Sequence, residues 1–448
     1  MATAALDHAP VRLRTLLTLA GPVVASRLGI MAMGVTDTLV VGRYSAVELS
    51  HLALAWAPTG VILVTAVGLL QGVQVLTAQA IGAGRPQDTG AVLRRGTVYA
   101  LGLGLGLALL LAVAGPVLLG HLGLDAALAA GAAPVLRLLA WSLLPMLLVD
   151  AGIFWLEAQG RPLPATAAMW AANGVNLLIN LWLVPGHSGF AVAGATASAA
   201  ATLVSRTALL LFVAGYIVRW PAARGFGVFR TPGPDAPGAA ALRRIGYGAA
   251  ASYFVEMAAF NSMTIVAGWL GAAGVAAWAI VLNVAGVTFM GPLGIAAATA
   301  VLVGRAHGAG DPAGVRRAGT LGFATAAAVS LLVSAVILGA ADAVAGGYTR
   351  DAAVRAVAAA ALVLSCLFYL TDGLQAVGAQ ALRARGDIWM PAATHMVSYV
   401  GVLMPAGYVA AIVLHLGVAG IVWGTIVASA VSAGLLLARF YWLGRRAL

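Results

Sequence analysis

The length of the uninterrupted apolar runs is what most constrains this chain. A helix needs about 20 apolar residues to cross the hydrocarbon core of a bilayer. Runs of that size cover 15–41, 52–80, 97–119, 133–156, 165–186 and 190–218, and then 245–268, 275–304, 318–343, 353–382, 391–413 and 417–440. None shows the polar–apolar alternation of a barrel strand. With 62% hydrophobic residues, 9% charged residues and a mean hydropathy of +0.99, the chain cannot be a soluble globular domain. The expectation is an all-α integral membrane protein with twelve transmembrane helices. The first run, behind Arg12 and Arg14, is too long for the apolar region of a secretory leader and reads as the first span.

The spans fall into two sets of six, separated by a polar, Pro- and Gly-rich stretch from Arg219 to Arg244. The sets are related. Ile81-Gly82-Ala83-Gly84-Arg85-Pro86 follows span 2, and His307-Gly308-Ala309-Gly310-Asp311-Pro312 follows span 8, 226 residues later. Gly160 and Gly386 repeat that offset, as do Val192-Ala193-Gly194 and Val418-Ala419-Gly420. The chain therefore reads as two pseudo-symmetric six-helix bundles, an N-terminal lobe over 1–218 and a C-terminal lobe over 245–448, tied by a cytoplasmic linker over 219–244. Six is even, so the repeats run parallel about an axis along the membrane normal, with a cavity expected between them.

All 25 bases are Arg, against 14 acids, for a net charge of +11. Nineteen of these arginines fall at the termini or in the loops after even-numbered spans. Arg43, Arg137, Arg350 and Arg355 lie on the other side, and Arg27 and Arg206 lie within spans. The positive-inside rule then puts both termini in the cytoplasm and makes the charge a topology signal, not a nucleic-acid footprint. Cys366 stands alone, which excludes an intrachain disulfide and a Cys-based metal site. No HxxxH, HExxH or phosphate-loop pattern occurs, so neither a zinc site nor drive by ATP is expected, and no cofactor beyond a coupling ion.

Asp37, Glu256 and Asp372 lie inside apolar runs, where an ionisable side chain costs about 2.5–3.5 kcal/mol at the helix centre on insertion scales. Such residues usually face a cavity and bind a proton or a cation. Glu256 lies about 12 residues, roughly 18 Å, beyond Arg244, and Asp372 about 11 residues, roughly 16 Å, before Arg383. The depths agree. If the two spans are neighbours, two carboxylates share one pocket and hold a proton or cation between them. Backbone carbonyls, Thr371, Asn261, Ser262 or water are the further oxygens available to a hard cation. The alternative is a pair of packed, hydrogen-bonded acids.

On span 5, Asn173, Asn176 and Asn180 are spaced i, i+3, i+7 and share one face, suited to surround Asp37 or to act as interhelical glue. Protonation of Asp37 is expected to alter the bend of span 1, already weakened at Pro22 and Gly29. Arg27 and Asp150 either pair with each other, or Arg27 reaches inward and Asp150 lines the cavity. Met31, Met33, Met257, Met263 and Met290, with Phe254, Phe260 and Trp278, suit either a pocket for apolar cations or core packing.

Val35-Thr36-Asp37-Thr38 leading to Val41-Gly42-Arg43, and Gln79 to Gly84 closing span 2, resemble the multidrug and toxic compound extrusion family. Phe254-Val255-Glu256-Met257, the run Asn283 to Met290-Gly291-Pro292, and Asp372 with Gln375 before Arg383 to Gly386 are similar to its NorM-like branch. The resemblance covers nearly the whole chain. It implies a twelve-helix exporter of the bacterial inner membrane, exchanging organic cationic or amphipathic compounds for Na⁺ or H⁺. By that resemblance Glu256 and Asp372 form the cation site of the C-terminal lobe, binding Na⁺ if sodium is the coupling ion. Asp37 is the acid of the N-terminal lobe, and Asn176 and Asn180 surround it. Asn283, Gln375 and Thr371 join as polar support. The pattern departs at Trp278-Ala279, where relatives often carry His-Gln, and at Phe368, where some place a Tyr that here is one residue off, at Tyr369.

The sequence thus reads as a secondary active exporter, an antiporter and not an enzyme, with organic cations, a monovalent cation and the lipid bilayer as partners and a monomer as the default. A flippase or exporter of one lipid-linked or metabolic substrate is the nearer rival. A polytopic membrane enzyme is the other, and the central acids lack the histidine partner it would need.

Overall fold

A computed structural model describes residues 12–121, 125–187, 189–230 and 236–446, and the regular elements among them are all helical. Twelve long helices account for the expected spans: α1 (Leu13–Tyr44), α2 (Ala46–Gly82), α3 (Thr89–His121), α4 (Ala126–Ala158), α5 (Leu163–Leu183), α6 (Gly194–Arg219), α7 (Ala236–Trp269), α8 (Ala272–Gly308), α9 (Pro312–Tyr348), α10 (Ala352–Ala384), α11 (Trp389–Val413) and α12 (Val418–Arg446). Ten of the described helices are long and apolar enough to cross a membrane by composition alone, and α5 and α7 are not among them. Those two carry the asparagine stripe and Glu256, so polar groups lower their hydropathy.

The 226-residue repeat reappears in the helix ends. α2 and α8 begin at 46 and 272 and end at 82 and 308, and α4 and α10 begin at 126 and 352 and end at 158 and 384. The recurring Gly-Ala-Gly triplet is a helix stop. After α2 the Arg85 amide donates to the Ala80 carbonyl and the Gly84 amide to Ile81, and after α8 the Asp311 and Gly310 amides donate to Ala306 and His307. This is the Schellman closure, whose pivot takes a left-handed backbone that glycine adopts without strain. Gly84 has φ of 71° and Gly310 of 65°. Asp311 then accepts from the Gly314 amide and starts α9, as Asp125 and Asp351 start α4 and α10.

The helices form two compact units. One is Ala25–Ala250, and the other joins the described part of Met1–Val24 to Ala251–Leu448. In the first, α4 packs against α2, α3 and α6, and nearly every residue from Leu143 to Ala158 is buried. In the second, α10 takes the equivalent place against α8, α9 and α12, with Gln375 to Ala384 all buried. α1 and α7 each contribute to both units. The first turns of α7 lie against α2 so closely that a Cβ on Gly246 would meet the Leu69 carbonyl oxygen at 2.1 Å, and one on Gly72 would meet that of Leu242 at 2.3 Å.

The stretch between the lobes is shorter as a connection than its composition suggests. α7 begins at Ala236, nine residues ahead of the expected span, and Trp220 to Arg230 form a folded cap. There the Phe226 carbonyl accepts from the Gly90 amide, Arg94 donates to the carbonyls of Gly227 and Val228, and Trp220 packs on Trp155 and Phe226. α11 also differs from a plain span. Met396–Leu403 and Val409–Val413 are wound as π-helix, a local underwinding often found at functional sites.

Carboxylate sites in the two units

Asp37 is completely buried in the first unit. Asn176 Nδ2 donates to its Oδ1 at 3.1 Å and Asn180 Nδ2 to the same oxygen at 2.9 Å. Thr202 Oγ1, from α6, donates to Oδ2 at 2.7 Å. Asn176 and Asn180 thus lie where the stripe on span 5 placed them, and Thr202 completes the shell. Asn173 does not join it. Its Nδ2 donates to the Gly29 and Met169 carbonyls, both at 2.9 Å, and so holds α5 to the backbone of α1 about two turns from the acid. Three donors on one buried carboxylate make a site suited to a charge or to a proton exchanged against it.

Arg27 and Asp150 do not hydrogen-bond to each other. Arg27 Nη2 lies 3.2 Å from Glu157 Oε1 and the guanidinium sits 5.6 Å from the Phe154 ring. Gln74 Nε2 donates to the other Glu157 oxygen at 2.7 Å. The repeat gives this pair a counterpart of altered chemistry, since 27 and 157 correspond to Tyr253 and Arg383 at the offset of 226. There the buried Arg383 guanidinium lies 5.5 Å from the Tyr253 ring, and Gln380 Nε2 donates to the Tyr253 hydroxyl at 2.9 Å. One pair of positions thus holds an ion pair in the first unit and a cation over an aromatic face in the second.

In the second unit, Glu256 and Asp372 come together. Gln375 Nε2 donates to Glu256 Oε1 at 3.3 Å and to Asp372 Oδ1 at 3.1 Å, so a single amide nitrogen bridges the two acids. Tyr399, from the π-wound part of α11, donates its hydroxyl to Glu256 Oε1 at 3.2 Å. The acids are partly exposed within their unit, whereas Gln375 and Tyr399 are buried. Arg383 is the positive group acting on Glu256. Gln375 Oε1 is buried with no hydrogen-bond partner among the described residues, an oxygen that a bound cation would satisfy.

The other candidate oxygens turn to their own helices. Thr371 donates to the Phe368 carbonyl, Asn261 to Met257 and Ser262 to Ala259, as hydroxyls and amides do when they satisfy the local backbone. The aromatic hydroxyl at the pair comes from Tyr399, while Tyr369 is buried with its ring 4.9 Å from that of Phe368. Asn283 is exposed and accepts from the Tyr348 hydroxyl at 2.9 Å. Phe254 is exposed and Met31 and Met257 are partly so, whereas Trp278 is buried in the core and donates to Thr264 Oγ1 at 3.2 Å. Nothing in single-helix spacing points to Thr202 or Tyr399. Each is an ordinary hydroxyl in an apolar run whose partner lies on another helix.

The MatE family pattern matches the chain twice, over residues 22–182 and 249–409, in step with the internal repeat. A probable multidrug resistance protein NorM of Caulobacter vibrioides is 50% identical over 433 residues, covering 96% of this chain and 92% of that protein. One from Mesorhizobium japonicum is 32% identical, covering 97% and 94%. Among solved structures, a MOP superfamily transporter from Pyrococcus furiosus superposes with a TM-score of 0.90 at 19% identity, covering 100% of this chain and 99% of that one. An outward-facing multidrug resistance MATE family transporter gives 0.89 at 20% identity, covering 97% and 96%. At that identity the structural likeness establishes the fold.

Proposed function

The chain belongs to the MatE family, whose members are membrane transporters and not enzymes, and from that premise we propose that it is a secondary active multidrug exporter. It exchanges organic cationic or amphipathic compounds for Na⁺ or H⁺ by alternating access. The observation that carries this reading is the bridged acid pair, because Glu256 and Asp372 share one Gln375 amide with the Tyr399 hydroxyl at their side. Two like charges held together this way attract a cation or a proton, and releasing it frees them again. Asp37, wrapped by three donors, is the corresponding site of the first unit. Each ligand shifts the population of inward and outward states by its difference in affinity for them.

The same reading makes the chain a multi-pass monomer of the bacterial inner membrane with both termini in the cytoplasm. In the second unit its cargo would meet the exposed Phe254 and the partly exposed Met257, apolar groups that adapt to varied cations.

Accumulation of a fluorescent organic cation in cells that lack their own exporters tests this. Cells expressing the chain should hold less dye than empty cells, and collapsing the ion gradients should erase the difference. Equal accumulation with and without the expressed chain would overturn it.

A further inference from the structure

Among the described residues, Asp37 is one of five charged side chains buried in the first unit's interior. With it are Arg206, Asp150, Arg27 and Glu157, each no more than 8% exposed. They follow one another along the helices. Arg206 is one turn beyond Thr202 on α6. Asp150 lies eight residues, about 12 Å, beyond Ser142 on α4, and Glu157 about 10 Å further on. Arg206 donates from Nη1 to Ser142 Oγ at 2.8 Å, stacks 5.5 Å from the Trp56 ring, and interacts electrostatically with both Asp37 and Asp150. The charged groups acting on Asp150 are Arg27 of α1, Arg206 of α6 and Glu157 of its own helix. α2 adds the uncharged Gln71 and Gln74 to this interior, and Arg94 of α3 is engaged at the cap by Gly227 and Val228.

Arg27 and Glu157 close on each other, with Gln74 on the second oxygen. That leaves one guanidinium, Arg206, to balance two carboxylates, both of which act on it electrostatically. With both ionised, the group would carry an uncompensated negative charge in a low-dielectric interior, which is strongly unfavourable. A single proton removes it. Asp37 accepts three hydrogen bonds, which favour its charged form, whereas Asp150 makes none among the described residues and its Oδ2 is fully buried.

We propose that Asp150 is a second proton-binding site of the first unit, sharing one proton with Asp37 through Arg206. When Asp37 takes up a proton, Arg206 becomes the counter-ion of Asp150, and Asp150 gives its own proton to water. One proton enters and one leaves, and the charge of the group is unchanged. The coupling use of this exchange rests on the exporter reading above, but the shared proton does not.

Infrared spectroscopy of the protonated-carboxyl stretch in the purified full chain at neutral pH tests it, in a background of Glu256→Gln with Asp372→Asn that silences the other acid pair. The expected spectrum has one buried protonated carboxyl. Asp150→Asn should abolish it, and so should Asp37→Asn, because Arg206 then neutralises the remaining carboxylate. Arg206→Gln should double its intensity, since both acids must then be neutral, and this arm stands even if one Asp→Asn variant fails to fold. Survival of the band in Asp150→Asn, its survival in Asp37→Asn, or an unchanged band in Arg206→Gln would each overturn the proposal. The measurement uses neither substrate nor gradient. A chain with this pattern but no dye export would refute the exporter reading alone, and one that exports dye without the pattern would refute the shared proton alone.

Discussion

Replacing Gly246 by Ala places a methyl group where α7 crosses α2 backbone to backbone. The added Cβ would stand 2.1 Å from the Leu69 carbonyl oxygen and 2.8 Å from its carbon, against 3.4 Å for an ordinary contact, so the helices must part by about 1.3 Å. The neighbour is main chain and cannot rotate aside. Overpacking of this kind costs about 1–3 kcal/mol, and a backbone obstacle belongs at about 3. Ala stabilises a helix over Gly by about 1 kcal/mol, which leaves a net loss of about 2. For a unit of this size that corresponds to a fall in melting temperature of roughly 4–8 °C. Thermal unfolding of the detergent-solubilised protein measures it, with Gly102→Ala as the reference because a Cβ there meets nothing within 4 Å. Glu256 lies ten residues further along α7, so Gly246→Ala should also lower export per molecule of folded protein. Melting indistinguishable from that of Gly102→Ala would refute the close crossing.

Tyr399→Phe removes one hydrogen bond to Glu256, and interhelical bonds in membranes average about 0.6 and reach about 1.7 kcal/mol, so export should fall roughly 3- to 20-fold, while Tyr369→Phe leaves it near wild type. Dye efflux rates at matched protein amounts check this. Arg27→Gln strands the Glu157 carboxylate with Gln74 alone and should destabilise the chain by about 3–5 kcal/mol, and adding Glu157→Gln should recover much of the loss in the same melting assay. Asn173→Ala should reduce thermal stability yet leave export dependent on the ion gradient, because Asn173 binds the Gly29 carbonyl and not Asp37.

The helices were legible in the sequence because the bilayer sets their length and the apolar runs meet it. The repeat was legible for a local reason: Gly84 and Gly310 terminate equivalent helices through the same left-handed turn. The face shared by Asn173, Asn176 and Asn180 was legible because helical spacing fixes which residues line up, and two of the three donate to Asp37. Spacing along one helix does not say which helix lies opposite. For that reason Thr202, Tyr399 and the pairing of Arg27 with Glu157 emerge only from the packing, and Asn173 and Thr371, which sit beside the right residues in sequence, turn to backbone carbonyls. The underwound turns of α11 that carry Tyr399 leave no mark in an apolar run.

The most direct test of the account is efflux of a fluorescent organic cation from proteoliposomes under an imposed Na⁺ gradient and, separately, a pH gradient, for wild type, Glu256→Gln, Asp372→Asn and Asp37→Asn. Antiport through these acids requires wild-type efflux that follows one of the gradients and is lost when either acid of the bridged pair, or Asp37, is neutralised. Gradient-driven efflux that persists in all three variants would contradict it.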